Sequence, residues 1–305
     1  MKATRDGFGD QLLESAEKNN KIIGLGADLG KATRINKFAE KYPDRFFECG
    51  IAENNMIGIA SGLASEGFKP FITSFSAFLT GKYDTIRCSI AYPNEPVILV
   101  GSHGGLAIGR DGVTQMGLED IAIMRALPNM IILNPGSYNE AKAITKYLCE
   151  EELTQPHYLR IGRQPIKETF DEGYYDFNLE KSVYIKNGNK GVAITTGCML
   201  PNVIEAAKEL DITVIHIPVL KPFPKDLIKN ISKYKKIFTI EDHSIIGGLG
   251  TIVAEIIAEF GYISKLYRIG LQDQFPESGA PNDLYDKYEL SVEKIRTKIK
   301  NNLDK

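Results

Sequence analysis

The sequence predicts an α/β protein of two domains, each a mainly parallel sheet flanked by helices. Three observations carry this reading. Apolar runs of strand length alternate with helical patterns along most of the 305 residues, and such alternation is the pattern of βαβ units and a parallel sheet. Runs such as Pro96–Gly101 (PVILVG) are apolar without interruption, as strands covered on both faces must be. The rhythm is lost over the polar, tyrosine-bearing stretch from Pro165 to Lys190 and then resumes. The chain therefore divides into a first domain over 1–165, a linker over 166–190 and a second, smaller α/β domain over 191–305.

The first series opens with an amphipathic helix over Asp6–Asn19. A buried strand, Lys21–Leu25, ends in the turn Gly26-Ala27-Asp28; the carboxyl end of a strand is where open α/β sheets bind ligands. A helix near Ile35–Tyr42 follows, then a buried strand over Phe46–Cys49, broken by Gly50, and a helix from Ala52 to Glu66. In that helix Glu53, Ile57, Ala60 and Ala64 recur at i, i+4, i+7 and i+11, so they share one otherwise apolar face. Glu53 has two readings. It is a first-turn glutamate favoured by the helix dipole, or a sequestered carboxylate serving a ligand, which needs a partner because an unpaired buried charge is costly. The same helix is rich in small residues (Gly58, Ala60, Ser61, Gly62, Ala64), which permit close approach of another backbone or a flat ligand. Strand Pro70–Ser74, helix Ala77–Ala91 and strand Pro96–Gly101 come next. A long glycine-rich loop, His103–Gly117, carries His103, Arg110, Asp111 and Gln115 as donors and acceptors. Helix Glu119–Leu127, strand Met130–Leu133, helix Tyr138–Glu151 and strand His157–Ile161 complete the series.

The second series reads strand Val192–Thr196, helix Asn202–Leu210, strand Thr213–Ile217, helix Lys225–Ser232, strand Lys236–Glu241, helix Leu249–Phe260, strand Lys265–Ile269 and a closing helix near Leu284–Lys300. Gly247-Gly248-Leu249-Gly250 opens one of these helices like a phosphate-binding turn, but it is not GxGxxG and no acidic residue follows at the ribose-binding distance. Packing or subunit contacts explain it better.

Composition narrows the function. With 43% hydrophobic and 25% charged residues the chain is an ordinary globular protein. A net charge of −2 and the lack of a long basic run leave no nucleic-acid footprint. No apolar run reaches membrane-span length, and the first twenty residues are too polar for a signal peptide. Cys49, Cys88, Cys149 and Cys198 form no CxxC pair, and no HExxH-like pairing occurs among the four histidines; both facts favour a reducing cytoplasm and argue against a zinc site or other metal ligands in this chain.

The run RFFECGIAENNMIGIASGLASEG (45–67), followed by PFITSFSAFLTGKYD, the SHGG…GRDG loop, LEDIAIMRALPNM, YLRIGRQP, KPFP and EDHSIIGGLG, resembles the transketolase family. The likeness is to the carboxyl-terminal half of split, two-subunit transketolases, and it covers nearly the whole chain in the family's order. The resemblance implies a pyrimidine-binding domain over 1–165 and a transketolase C-terminal domain over 191–305. It implies thiamine diphosphate bound between two subunits, with Glu53 hydrogen-bonded to a ring nitrogen of the aminopyrimidine and so promoting loss of the thiazolium proton. A two-carbon ketol unit would then pass from a ketose to an aldose, the cofactor supplying the hard chemistry. Phe75 and Phe78 match the aromatics against the pyrimidine, although three-residue spacing on a helix face also suits plain core. Asp28 matches an aspartate near the cofactor; a turn or helix cap is its alternative. Arg5 (in KATR), His103 and Arg163 (in IGRQP) match residues that hold a sugar phosphate, His103 at the catalytic centre, and an arginine fork suits phosphate. A surface ion pair is the plainer reading of either arginine, and an ordinary buried histidine that of His103. Asp111 matches an aspartate that recognises a sugar hydroxyl.

Departures bear on substrate. Gln115-Met116 stands where the family reads HQ, and glutamine cannot carry the histidine's charge. Ala32 replaces a serine that assists phosphate binding, Gly81 an aromatic or arginine, and Gly104-Gly105 follow His103 where Asp-Ser is usual. A modified sugar or a different acceptor becomes an expectation. The GDG motif and later asparagine of the family's diphosphate and magnesium site are missing; Gly109-Arg110-Asp111-Gly112 lies on the wrong loop. The resemblance therefore implies a second polypeptide, the amino-terminal transketolase subunit, that ligates Mg2+ or Ca2+ and joins this chain in an alpha2beta2 heterotetramer. Other readings are the beta subunit of a 2-oxo acid dehydrogenase or a deoxyxylulose-phosphate-synthase-like subunit, which share the glutamate, and a non-catalytic partner subunit.

Overall fold

The computed structural model describes residues 1–171 and 175–303. Helix α1 (Thr4–Ala16) leads into β1 (Ile22–Gly26), short helices α2 (Gly30–Thr33) and α3 (Asn36–Lys41), β2 (Phe46–Glu48), α4 (Glu53–Ser65), β3 (Lys69–Phe75), α5 (Ser76–Thr80), α6 (Tyr83–Ile86) and β4 (Ile98–Ser102). After the long loop come α7 (Asp120–Arg125), β5 (Ile131–Leu133), α8 (Tyr138–Glu150) and β6 (His157–Arg160). The second series is β7 (Val183–Lys186), β8 (Val192–Thr195), α9 (Leu200–Ala207), β9 (Thr213–His216), β10 (Val219–Lys221), α10 (Lys225–Asn230), β11 (Lys236–Ser244), α11 (Leu249–Glu259), β12 (Lys265–Leu271), α12 (Pro281–Lys287) and α13 (Val292–Leu303).

Among the described residues these strands make two sheets, ordered β10-β5-β6-β4-β3-β1-β2 and β12-β11-β8-β9-β7. Every pairing is parallel except β10 on β5 and β7 on β9. The α/β class with two mainly parallel, helix-flanked sheets is thus as the alternation predicts. Both faces of the first sheet are buried, and its alternation is exact: Ile22, Phe71, Ile98 and Val100 face α1 and α8, whereas Ile23, Leu25, Ile72 and Leu99 face α4. From β1 the next strands leave in opposite directions, β2 on one flank and β3 then β4 on the other. That reversal opens a crevice at the carboxyl ends of β1 and β3.

Several local readings need correction. The run 46–49 is not a buried strand: β2 is the sheet's edge, paired only with β1, and Phe47 is 43% exposed. The helix expected over 77–91 breaks into α5, α6 and a π-helical turn, Arg87–Ala91. Residues 183–186, inside the expected linker, form β7 against β9; residues 172–174 of that linker, and 304–305 of the second domain, lie outside the described residues. Residues 219–221 leave the second sheet and extend the first, where Pro218 accepts a hydrogen bond from the Asn134 amide at 2.8 Å. The closing helix is two, separated at left-handed Glu289. Among the described residues no helix is long and apolar enough to cross a membrane.

Candidate active site

The predicted residues gather on the loops after β1, β3, β4 and β6 and on the helix that follows β2, with Arg5 reaching in from α1. Glu53 opens α4 and is only 6% exposed. Its carboxylate accepts a hydrogen bond from Ser74 Oγ on β3 at 3.1 Å, so the partner that burial demands is a hydroxyl, with lone pairs to spare. Phe75 follows Ser74 at the strand's end. Its ring stacks on Phe78 at 5.3 Å between centroids and on His103 at 3.8 Å. Phe75 is nearly closed to solvent whereas Phe78 is half-buried, so Phe78 offers the open aromatic surface.

His103 caps β4 in the left-handed region, φ 60°. Its Nδ1 lies 2.9 Å from Ser102 Oγ. Burial, and after it the positive charges of Arg5, Arg163 and Arg34, push the imidazole down to about 3, so it is neutral near pH 7. Arg5 donates through Nη1 to the Ala32 carbonyl at 2.9 Å, while its Nε is buried without a partner among the described residues. Burial and the neighbouring Arg34 lower this guanidinium to about 10, still fully charged. Arg163 donates to the Ile108 carbonyl at 2.6 Å and pairs with Asp111, both side chains 40% exposed. The two expected substrate residues thus bind each other.

Asp28 and Gln115 make no side-chain hydrogen bond among the described residues. Asp28 is exposed and left-handed, φ 58°, and forms no helix cap; its amide donates to Glu48 Oε1 at 2.8 Å, which also takes the Gly50 amide at 3.0 Å. Glu48 therefore ties the turn after β1 to the turn before Glu53. Gln115 is half-buried and ends a single 3-10 turn. Ser74, Glu48 and Arg34 (paired with Asp6 at 2.7 Å) carry no signal in the sequence, since each acts through a partner brought in by the fold; Ser102 is next to His103 in the chain, but a serine there has no distinguishing pattern.

The resemblance to a phosphate-binding turn at 247–250 has a plain outcome. The Glu241 carboxylate takes the Leu249 and Gly250 amides at 2.7 and 2.8 Å, so the chain fills its own helix N-terminus.

The Glu53 carboxylate, with lone pairs to spare, suits the polar edge of an aminopyrimidine, and the stacked pair Phe75 and Phe78 suits its flat face. No group of three or more His, Cys, Asp or Glu that could hold a metal ion occurs among the described residues.

Family profiles match the chain over residues 1–168 (transketolase, pyrimidine binding domain) and 180–295 (transketolase, C-terminal domain). The chain is 37% identical to a protein of Methanocaldococcus jannaschii named as a transketolase C-terminal section, over 100% of this chain and 97% of that one. It is 34% identical to the 6-deoxy-6-sulfo-D-fructose transketolase subunit SqwH of a Clostridium species, over 95% and 91%. It is 33% identical to the 1-deoxy-D-xylulose-5-phosphate synthase of Clostridium perfringens, covering 96% of this chain and 48% of the synthase. A solved structure titled split gene transketolase, inactive beta4 tetramer, superposes with a TM-score of 0.90 at 34% identity over 100% and 99% of the two chains.

Proposed function

Because the chain belongs to the transketolase family, as a C-terminal section carrying its pyrimidine-binding and C-terminal domains, we propose that it is half of a thiamine diphosphate-dependent transketolase, active only with an amino-terminal, diphosphate-binding partner. The observation that carries this reading is Glu53, buried on an apolar helix face and bonded to Ser74, the strand residue just before Phe75, whose ring stacks on Phe78. The cofactor, when bound, supplies the carbon chemistry of ketol transfer.

The chain's own residues do the rest. Glu53 holds a ring nitrogen of the aminopyrimidine and shares its proton. Phe75 and Phe78 provide the apolar wall, and Asp28 stands at the subunit junction. His103, held neutral, presents a hydrogen bond to the reacting sugar, its tautomer set by Ser102. Arg5 and Arg163 grip a sugar phosphate, with Asp111 and Gln115 on hydroxyls. Mg2+ or Ca2+ is ligated mainly by the partner, in an alpha2beta2 assembly working in the cytoplasm; all four cysteines are free thiols. The division at 165 and 190 separates the unit that performs these tasks from the unit that supports it.

Glu53→Gln tests the mechanism. We expect an unchanged fold by circular dichroism and a loss of ketol transfer of about a hundredfold or more in the reconstituted assembly. Full turnover by that variant overturns the assignment of Glu53.

The sulfosugar and deoxyxylulose relatives favour a second reading of substrate, and Gln115 and Ala32 point the same way. Assaying the assembly with ketose phosphates, a sulfosugar ketose and pyruvate in parallel separates the possibilities. The chain alone should be inactive with all three.

A further inference from the structure

The loop between β4 and α7 is held by the second domain. Asp242, buried on β11, accepts the Leu106 amide and the Tyr285 hydroxyl, each at 2.8 Å. This reach needs glycine at 105: φ is 94°, and a Cβ there would lie 2.1 Å from Asp242 Oδ2. A second pair repeats the device further along the loop. Ser278 Oγ donates to the Arg110 carbonyl at 2.6 Å, and Gly112, φ 82°, would place a Cβ 3.2 Å from that hydroxyl. Between these anchors Leu106, Ala107 and Ile108 pack into the second domain's core. Past them the Ser244 amide donates to the Leu118 carbonyl at 2.8 Å. Asp111 therefore follows the residue that Ser278 holds and precedes the glycine that leaves room for Ser278, and it pairs with Arg163.

We propose that the second domain is a clamp on this loop and that Ser278 is its positioning residue, fixing Asp111 and Gln115 for the sugar. The role in sugar recognition rests on the functional reading above; the clamp rests on the contacts alone. Ser278 touches no reacting atom, so its effect belongs on substrate recognition and not on cofactor uptake.

The test uses Ser278→Ala and Ser278→Thr in the chain assembled with its diphosphate-binding partner, with D-xylulose 5-phosphate and D-ribose 5-phosphate as probes. Removing one hydrogen bond in Ser278→Ala should raise KM about tenfold with kcat within about twofold, leave thiamine diphosphate affinity and the melting temperature as they were, and be rescued by threonine. In the chain by itself, amides 106–117 of Ser278→Ala should exchange with deuterium about tenfold faster while β8 and β11 stay protected. Unchanged exchange overturns Ser278 as an anchor of the clamp. A kcat loss without a KM change, or a lowered melting temperature that threonine does not restore, overturns the positioning role in favour of a merely structural one. If the unaltered assembly turns over neither these sugars nor a sulfosugar ketose or pyruvate, the functional reading falls, and with it the role in sugar recognition; the exchange measurement still decides whether Ser278 holds the loop.

Discussion

His103 shows how the chemistry is set by neighbours and not by residue type. Its ring lies on Phe75, its Nδ1 meets Ser102, and burial together with three arginines disfavours a further positive charge. We expect nitrogen-detected NMR of the imidazole to show no titration of His103 between pH 5 and 8; an inflection near the ordinary 6.5 would contradict the neutral form. Glu53 teaches the complementary lesson. Its burial is legible in the recurrence of Ile57, Ala60 and Ala64 along α4, because a helix face needs only local spacing. Its partner is not legible, because Ser74 is brought alongside by the pairing of β3 with β1. Ser74→Ala withdraws the hydroxyl that donates to that carboxylate and should destabilise the chain by about 1.5–3 kcal/mol, read from urea unfolding. The meeting of Asp111 with Arg163, 52 residues apart, is hidden for the same reason.

At the scale of elements, long strands and helices declare themselves by period, and the alternation over 21–161 yields the first sheet nearly strand for strand. What escapes is three or four residues long. β10 and β7 have too few positions for a period, and only tertiary pairing makes them strands. β2 misleads in the other direction: its aromatic run suits an interior, but it is an edge, with Phe47 turned to solvent. The glycine-rich loop is the most instructive case. Composition suggests a loop that offers donors and acceptors to a ligand, yet Leu106, Ile108, Met116 and Leu118 are buried like strand residues. The loop is therefore core in energetic terms. Leu106→Ala should cost about 2–5 kcal/mol, the range of an interior strand position, in the same urea measurement. A cost below ~1 kcal/mol would mean that the loop docks only weakly on the second domain.

Over the whole molecule, the two sheets are joined through polar groups taken wholly out of water. Arg160 at the end of β6 pairs with Asp120 at 2.9 Å, and donates also to the Gly117 and Asp242 carbonyls. Such a pair contributes little net stability when whole and costs several kcal/mol when broken, so it ties the loop, α7 and β11 into one cooperative junction. Buried titratable groups also give the fold a pH dependence whose sign follows from counting protons. Burial lowers His103 to about 3 and His157 and His243 to about 4, from an ordinary 6.5. Between pH 6 and 5 the unfolded chain binds protons at these three sites that the folded chain refuses, so acid favours unfolding. Burial works the opposite way on carboxyls. It raises Glu241 from 4.5 to about 7, and Asp242 shifts upward too, so the folded chain holds protons there that the unfolded chain has released. Three large downward shifts of imidazoles oppose one large upward shift of a carboxyl, Glu241, and smaller ones at Asp242 and Glu119, so the balance lies with the imidazoles. Stability should then fall on acidification, by about 1.4 kcal/mol per pH unit for each net proton the unfolded chain takes up, against the ~5–15 kcal/mol that holds a domain folded. Urea midpoints at pH 7, 6 and 5 measure this directly. A midpoint that holds steady or rises toward pH 5 would show that the buried carboxyls dominate.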